Sequence, residues 1–307
     1  MAEQLGSPGA PWGQGSASFA SKEAGLGAQR GHCSRHLRIK KLTERQQILE
    51  VLSTDRLYAA YAIGDLEPGF FEECAWYGAE SAGRVVSLCL HYRGLYPNAF
   101  FTVGEEEGVR AILSGALGPW RAYFSSRYEH LPALREFYNL GPLERLIRLA
   151  VTAERFKPVA TEMVRLGMAD IHDLNRLYHI GGGGSVFTPY QLDKGVYFGV
   201  RVDGELVSVA GTHVVAPGYG IAAVGNVLTH PGHRNRGYAT ACTSAVVQEL
   251  LRKGCAEVVL NVREDNWPAI KAYTRLGFQE HCRYVEALGC RKFGHILSTL
   301  WHWLTAA

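Results

Sequence analysis

The chain reads as a mixed α/β (α+β) protein made of two halves of similar order, and three features of the sequence lead there. Helical and strand-like apolar spacings alternate along residues 37–290. Residues 131–141 align without a gap over residues 267–277, with Pro, Ala, Leu and Gly at the same four places. Residues 226–240 carry a strand through a Gly- and Arg-containing turn directly into a helix.

In the first half, residues 44–61 place Ile48, Val51, Leu52, Leu57, Tyr58 and Tyr61 at helical spacing, so one helix is expected there. Residues 75–79 and 85–91 flank Ser81-Ala82-Gly83 and read as a hairpin. Strands follow at 99–103 and 120–125, then a helix at 131–140 and a closing strand at 143–151. The second half repeats this order. A helix is expected at 168–178, and strands at 195–201 and 206–214 around the turn Val202-Asp203-Gly204-Glu205. Next come a strand at 221–229 and a helix at 239–253 closed by Gly254. That helix gathers Ala239, Cys242, Ala245, Val246 and Leu250 on one face. A strand at 256–262, a helix at 267–276 and a strand at 278–287 complete the half, with Glu280 under Glu144 in the aligned repeat.

Bulk composition narrows the partners. Apolar residues make up 47% and charged residues 20%, enough to bury a full core. A net charge of +3, from 32 basic and 29 acidic residues, gives no reason to expect nucleic acid or an anionic membrane. No apolar run reaches the length of a membrane span. The seven cysteines are odd in number, widely spaced and without a CxxC, which suits reduced thiols in the cytoplasm. No HExxH or Cys/His cluster has zinc-ligand spacing, so no metal is expected. Residues 1–36 are rich in Gly, Ala, Ser and Gln and lack the basic and apolar stretches of a signal peptide, so they read as a disordered tail. The expected organisation is that tail, an N-terminal domain at 37–157 and a C-terminal domain at 158–307.

The strongest local signal runs from Asn226 to Thr240. Backbone N–H groups at a helix start are unpaired and partly positive, a ready site for a pyrophosphate. Gly237 lets the backbone come close to such a group, Ala239 is small for the same reason, and Arg234 and Arg236 add full charges.

Arg234-Asn235-Arg236-Gly237-Tyr238-Ala239 resembles the (Gln/Arg)-x-x-Gly-x-(Gly/Ala) signature of the GNAT superfamily of N-acetyltransferases. Thr229-His230-Pro231-Gly232-His233-Arg234 fits that family's strand exit. Asn266, Ala269, Tyr273, Gly277 and Phe278 fall at the spacing of its Asn-x-x-Ala-x-x-x-Tyr-x-x-x-Gly-Phe pattern. The order of elements agrees over some 130 residues, and the chain looks most like the glycine N-acyltransferase-like branch and its bacterial relatives. The resemblance implies the GNAT fold, a mixed and mostly antiparallel central sheet flanked by helices, in two tandem GNAT-like halves. It implies acetyl-CoA as co-substrate. Val227, Leu228 and Thr229 would then pair with the pantetheine arm, and Arg234, Asn235, Arg236, Gly237, Tyr238, Ala239 and Thr240 would hold the pyrophosphate. Asn261, Asn266 and Ala269 would complete the cofactor cleft.

The resemblance further implies direct attack of an amine on an acyl-CoA thioester, in the cytoplasm, by a monomer or homodimer. Tyr273 lies at the family's general-acid position, where a phenol with pKa near ~10 could protonate a thiolate near ~8.5. The oxyanion would be met by the backbone N–H of Leu228 or its neighbour. The general base is open. Asn226 stands where many relatives place a Glu, and His213, His230 and His233 are candidates by pKa alone. The missing carboxylate leans towards a weakly basic acceptor, an amine on a small molecule. The alternatives are a protein or peptide acceptor and a non-catalytic acyl-CoA sensor. The run Gly181-Gly182-Gly183-Gly184-Ser185 reads equally as a surface linker or a substrate lid.

The first half lacks these groups. Where the pyrophosphate loop should be it has Val103-Gly104-Glu105-Glu106-Glu107-Gly108, whose carboxylates would repel a pyrophosphate, and Phe137 replaces Tyr273. It is expected to be a degenerate copy that supports or shapes the cleft, or else a separate small α/β module.

Overall fold

The computed structural model describes residues 36–292 apart from 116–117, 160–161 and 183–186. The expected disordered tail, save residue 36, and most of the glycine run at 181–185 therefore lie outside the described residues.

The first half comprises β1 (Arg38–Leu42), α1 (Arg45–Leu52), α2 (Ala60–Gly64), β2 (Cys74–Ser81), β3 (Arg84–Tyr92), β4 (Asn98–Gly104), α3 (Glu106–Gly115), β5 (Arg121–Ser126), α4 (Leu131–Phe137), β6 (Tyr138–Leu140) and β7 (Glu144–Thr152). The second comprises β8 (Val164–Arg165), α5 (Ile171–Ile180), α6 (Pro189–Lys194), β9 (Phe198–Val202), β10 (Glu205–Ala216), β11 (Ile221–Thr229), α7 (Tyr238–Arg252), β12 (Glu257–Arg263), α8 (Trp267–Arg275) and β13 (Gln279–Arg291). The repeat inferred from residues 131–141 thus extends through each half. In both, a strand and two helices precede a hairpin, and a strand–helix–strand–helix run then leads to a final strand.

Among the described residues, all thirteen strands join one sheet, in the order β1-β2-β3-β4-β5-β13-β7-β12-β11-β10-β9-β8, with β6 on β13. Pairing is antiparallel except for β4 with β5 and β11 with β12. The final strands change sides. β13 pairs with β5 of the first half, β7 pairs with β12 of the second, and the two lie against each other in the middle. Each half is therefore closed by the other's last strand, and one core beneath α1 and α2 runs from Leu42 and Trp76 to Val259 and Tyr284. On the opposite face α3 and α4 cover the first half through Val109, Ile112 and Leu134. There α7 and α8 cover the second through Val246, Leu250 and Tyr273.

Several expected elements take a different form, each for a local reason. The single helix expected at 44–61 is two. Thr54 Oγ1 donates back to Val51 O at 2.7 Å. Asp55 bonds to Arg127 and to His281 Nε2, which pulls the chain out of helix before α2 resumes. The helix expected at 131–140 stops at Phe137, because residues 138–140 pair with β13. The closing strand runs on to Arg291, since its last residues have β5 and β6 as partners. Helix α3 replaces the loop read at the glutamates. Glu106 and Glu107 sit in its first turn, where they suit the helix dipole, and its apolar stripe is buried. Strands β1 and β8 and helix α6 were not expected.

Candidate active site

β11 and β12 pair at four positions, from Ile221 opposite Glu257 to Val224 opposite Leu260. Beyond Val224 they part, and β11 continues to Thr229 with β10 alone as neighbour. Its pairing with β10 slips between Val209 and Gly211 and again between Thr212 and Val214. Asn226 takes a left-handed φ of +52°. Such bulges bend and twist a strand. They leave a gap between β11 and β12 walled by half-buried Val227, Leu228 and Thr229 on one side and Asn261 on the other. The carbonyl of Leu228 accepts from Ser208 Oγ on the β10 side at 3.2 Å. Alternate backbone groups of a strand point in opposite directions, so the amides facing the gap are those of Val227 and Thr229, the neighbours of Leu228.

At the end of β11 the chain makes a short turn. His230 Nδ1 accepts from Gly232 N–H at 3.1 Å, and the His230 and His233 rings pack edge to face with centroids 5.4 Å apart. Arg234, Asn235, Arg236 and Gly237 are all exposed. Arg234 Nε donates to Thr229 O at 3.4 Å, which folds the loop over the strand end. Gly237 is the N-cap of α7 with φ +81°, and no side chain caps the helix. A Cβ on Gly237 would meet nothing within 4 Å. The first N–H groups of α7 thus have no side-chain cap and the space beside Gly237 is open, an arrangement suited to a pyrophosphate. Glycine is required there by its φ.

Tyr273 projects from α8 into the core and is 7% exposed, with its ring 6.0 Å from Phe278. Burial pushes its phenol up to about 12, above the ordinary value expected from the sequence. Asn266 Oδ1 accepts from Ala269 N–H at 3.3 Å and caps α8, so this side chain is committed to the helix start.

Sequence reasoning missed the arrangement on the far side of the gap. His213 of β10 and Tyr61 of α2 meet there, with Tyr61 OH 2.9 Å from His213 Nδ1. His213 Nε2 lies 3.2 Å from Asn226 Oδ1, and Asn226 Nδ2 donates to Tyr197 OH at 3.1 Å. Tyr197 OH in turn donates to Thr212 O at 3.2 Å. Asn261 Nδ2 donates to Tyr61 OH at 3.2 Å. The directions are mutually consistent. Asn226 uses its amide N–H on Tyr197, so its oxygen accepts from His213 Nε2–H, and His213 Nδ1 accepts the Tyr61 hydroxyl proton. Burial, opposed by the bond to Asn226 and aided by the Arg148 charge, holds the His213 imidazole below its usual range. The ring is reached by solvent yet set among protein atoms, as on a cleft wall. Tyr61 reaches this wall because Gly64, one turn on, lets α2 lie against Val214. A Cβ at Gly64 would stand 2.4 Å from Val214 Cγ1. His230 and His233 stay in the loop, away from this chain of bonds.

At the same place in the first half, side chains satisfy the polar groups beside the parting strands. β4 and β5 pair from Asn98 opposite Ala122 to Phe101 opposite Ser125. Past that point Thr102 Oγ1 bonds to Ser126 Oγ at 2.9 Å and to His130 Nδ1 at 2.8 Å. His130 Nε2 donates to Gly104 O at 2.8 Å, and Tyr58 OH donates to Thr102 O at 3.0 Å. One residue, Glu105, separates β4 from α3.

Residues 168–278 match the model of the acetyltransferase (GNAT) family. A mycothiol acetyltransferase of Corynebacterium aurimucosum is 41% identical over 58 residues, which is 18% of this chain and 19% of that one. The chain thus covers less than a third of the length of the curated mycothiol acetyltransferases it matches. A solved Drosophila protein covers 84% of this chain and 99% of itself at 14% identity, with a TM-score of 0.61. A tandem GNAT protein from the clavulanic acid biosynthesis pathway covers 82% and 98%, at 14% identity and a TM-score of 0.50. These two show a shared fold over most of the chain, including both halves. Within the C-terminal half, residues 168–278 thus carry the match to the acetyltransferase (GNAT) family, and the N-terminal half repeats the same order of elements.

Proposed function

We propose that this chain transfers an acetyl or other short acyl group from acyl-CoA to a primary amine on a small molecule, by direct attack. The observation that carries this reading is the meeting, at one gap, of an uncapped helix start and a directed chain of hydrogen bonds ending on Tyr61 and Asn261. The loop from Arg234 to Thr240 would bind the pyrophosphate, and the gap-facing backbone of Val227 and Thr229 would pair with the pantetheine arm. The amine nitrogen forms its bond to the thioester carbonyl carbon, and the C–S bond breaks with its electrons leaving on sulfur. The amine proton passes to the Tyr61 hydroxyl as that group gives its own to His213 Nδ1. Neutral His213 suits this task, because its depressed pKa keeps the imidazole unprotonated at pH 7.

Tyr273 protonates the departing thiolate. A phenol near 12 is a weaker acid than one near ~10, but the same water-poor surroundings raise the thiol's pKa as well, so transfer stays feasible. The gap-facing amide of Val227 receives the oxyanion, while its carbonyl and the backbone of Thr229 remain for the pantetheine arm. No step needs a metal. The six cysteines in the described residues are free, which fits work in a reducing cytoplasm. Among the described residues no helix is long and apolar enough to cross a membrane.

The test is acetyl-CoA consumption across an amine library, with CoA binding measured in parallel. Turnover with small amines supports the reading. Turnover restricted to peptides would move the acceptor to protein, and tight CoA binding without any turnover would make the chain a sensor.

A further inference from the structure

Helix α5 covers the face of the sheet opposite α7 and α8. β10 sends Leu206 and Val209 to the α5 side and Val207 and Ala210 to the α7 side. β11 divides in the same way. Leu228 packs in the cluster that holds Leu174, Leu177 and Tyr178 of α5, and Val227 in the one that holds Tyr273 of α8. Gly181, three residues past Tyr178 and so on the same side of the helix end, lets α5 close on this strand. A Cβ there would stand 2.7 Å from Leu228 Cδ2. Tyr178 is 7% exposed. Its ring meets Phe187 edge to face with centroids 4.7 Å apart, and Phe187 meets Tyr197 at 5.8 Å. Its hydroxyl is sealed from solvent and has no hydrogen-bond partner among the described residues. A buried tyrosine ordinarily finds a partner for that group, and lacking one is destabilising. Burial pushes the phenol well above its ordinary range, and the neighbouring phenols of Tyr197 and Tyr273 push it further. Tyr178 and Tyr273 thus feel each other from opposite faces. The backbone between those faces is the stretch where β11 has left β12 past Val224.

We propose that Tyr178 is a catalytic residue whose hydroxyl donates to the acyl carbonyl oxygen of the bound thioester, as a second donor beside the Val227 amide; the inference rests on the acyl-transfer reading. A carbonyl oxygen has two lone pairs, and the Val227 N–H meets one of them. Donors aimed in advance at a developing oxyanion do the most for the rate, and two serve better than one. The neighbouring hydroxyls are already engaged. Tyr197 OH donates to Thr212 O, Tyr61 OH meets His213 Nδ1, and Ser208 Oγ donates to Leu228 O. Tyr178 OH is not. The chain of bonds from Tyr61 through His213 and Asn226 ends on Tyr197, whose ring lies one aromatic contact from Tyr178. The group that takes the amine proton and the group that meets the carbonyl oxygen therefore share one face, and Tyr273 meets the sulfur from the other. Tyr178 gives up no proton. As the amine nitrogen bonds to the carbonyl carbon, the C=O electrons move onto oxygen under its hydrogen bond, and they return as the C–S bond breaks. A hydroxyl left unpaired in the free chain is paired when the thioester is bound.

The experiment titrates acetyl-CoA and S-ethyl-CoA, a thioether that lacks the carbonyl oxygen, into the wild-type chain and into Tyr178→Phe by calorimetry. The wild type should prefer acetyl-CoA by about tenfold or more, since the thioether leaves the hydroxyl unpaired. In Tyr178→Phe that preference should shrink by about tenfold, with the affinity for S-ethyl-CoA retained. The melting temperature of the free variant should equal or exceed that of the wild type, because an unpartnered hydroxyl adds nothing to the fold. With any amine that is acylated, kcat should fall by about a hundredfold, the usual loss for one oxyanion donor, while KM for the amine stays the same. Equal affinity of the wild type for both ligands, or a preference unchanged in Tyr178→Phe, would overturn the inference. A variant that melts lower and keeps the wild-type preference makes Tyr178 a packing residue and overturns it as well. If no amine is acylated but the preference for acetyl-CoA exists and depends on Tyr178, the acyl-transfer reading fails and the carbonyl site stands. If amines are acylated and Tyr178→Phe keeps both the wild-type rate and the wild-type preference, the reading stands and the inference fails.

Discussion

The two halves share one plan and differ at one gap. In each, a parallel strand pair separates after four paired positions, β11 from β12 and β4 from β5. In the second half, the residues 230–237 lie between strand and helix, and the helix starts bare at Gly237. In the first, Glu105 alone makes the connection. The polar backbone exposed by the parting strands meets two different fates. Around β4 it is satisfied internally by Tyr58, His130, Ser126 and Thr102. Along β11 the side facing β12 has no strand partner past Val224, and His213, Asn226, Tyr61 and Asn261 bond to one another beside it. A protein interior satisfies its own polar groups wherever it can. On the proposed reading, the half that has done so serves as scaffold and the other takes the ligand.

Four expected outcomes would break or sharpen this contrast. The largest effect belongs to His213. His213→Ala should lower kcat by roughly a hundred- to ten-thousandfold, the usual range for a general base, with CoA affinity kept. In the wild type the acid limb of the pH–rate profile should lie below the ordinary histidine value of ~6.5, because burial depresses this imidazole. Rate falls as pH drops through that depressed value, since the protonated ring accepts no proton. An identical limb in His213→Ala would assign it to another group.

Next comes Gly237→Asp, which makes the second half resemble the first by placing a carboxylate at the start of α7 in a conformation that favours glycine. Acetyl-CoA affinity should drop by about a hundredfold, an order-of-magnitude figure for a charge placed against a pyrophosphate. An unchanged affinity would remove the loop from the binding site. Tyr273→Phe should cost about tenfold or more in kcat without changing CoA binding. Full turnover and an unchanged pH profile would exclude it as the acid. The smallest effect on the cleft should come from His130→Ala in the first half. It removes one partner each from Thr102 Oγ1 and Gly104 O, so unfolding free energy should fall by about 2 kcal/mol while CoA affinity stays the same. Weaker CoA binding in that variant would mean that the first half holds ligand after all.

What the sequence made legible follows the range of the interactions. The Arg234–Thr240 loop and the Asn266–Phe278 helix are local, and each is specified by residues within one turn of the feature they build. The repeat was visible at 131–141 because α4 and α8 keep the same Pro, Ala, Leu and Gly. Tyr61 was visible as one apolar position of a helix, and its partnership with His213 was not, since the two lie 152 residues apart. Their meeting depends on α2 folding across the sheet and on a close approach at Gly64. The place of Arg148 against Tyr61 was hidden for the same reason, because β7 reaches the second half by an exchange of final strands that no local pattern encodes. Helix α3 was hidden by its glutamates, which look like a loop until their place at a helix start is seen.

The most direct measurement is the stoichiometry of acetyl-CoA binding by isothermal titration, on the wild-type chain and on Gly237→Asp. One bare helix start after parting strands, present in the second half alone on the proposed reading, predicts a single site per chain, lost or strongly weakened in the variant. Two sites, or one site indifferent to Gly237→Asp, would contradict the assignment of the second half as the half that binds.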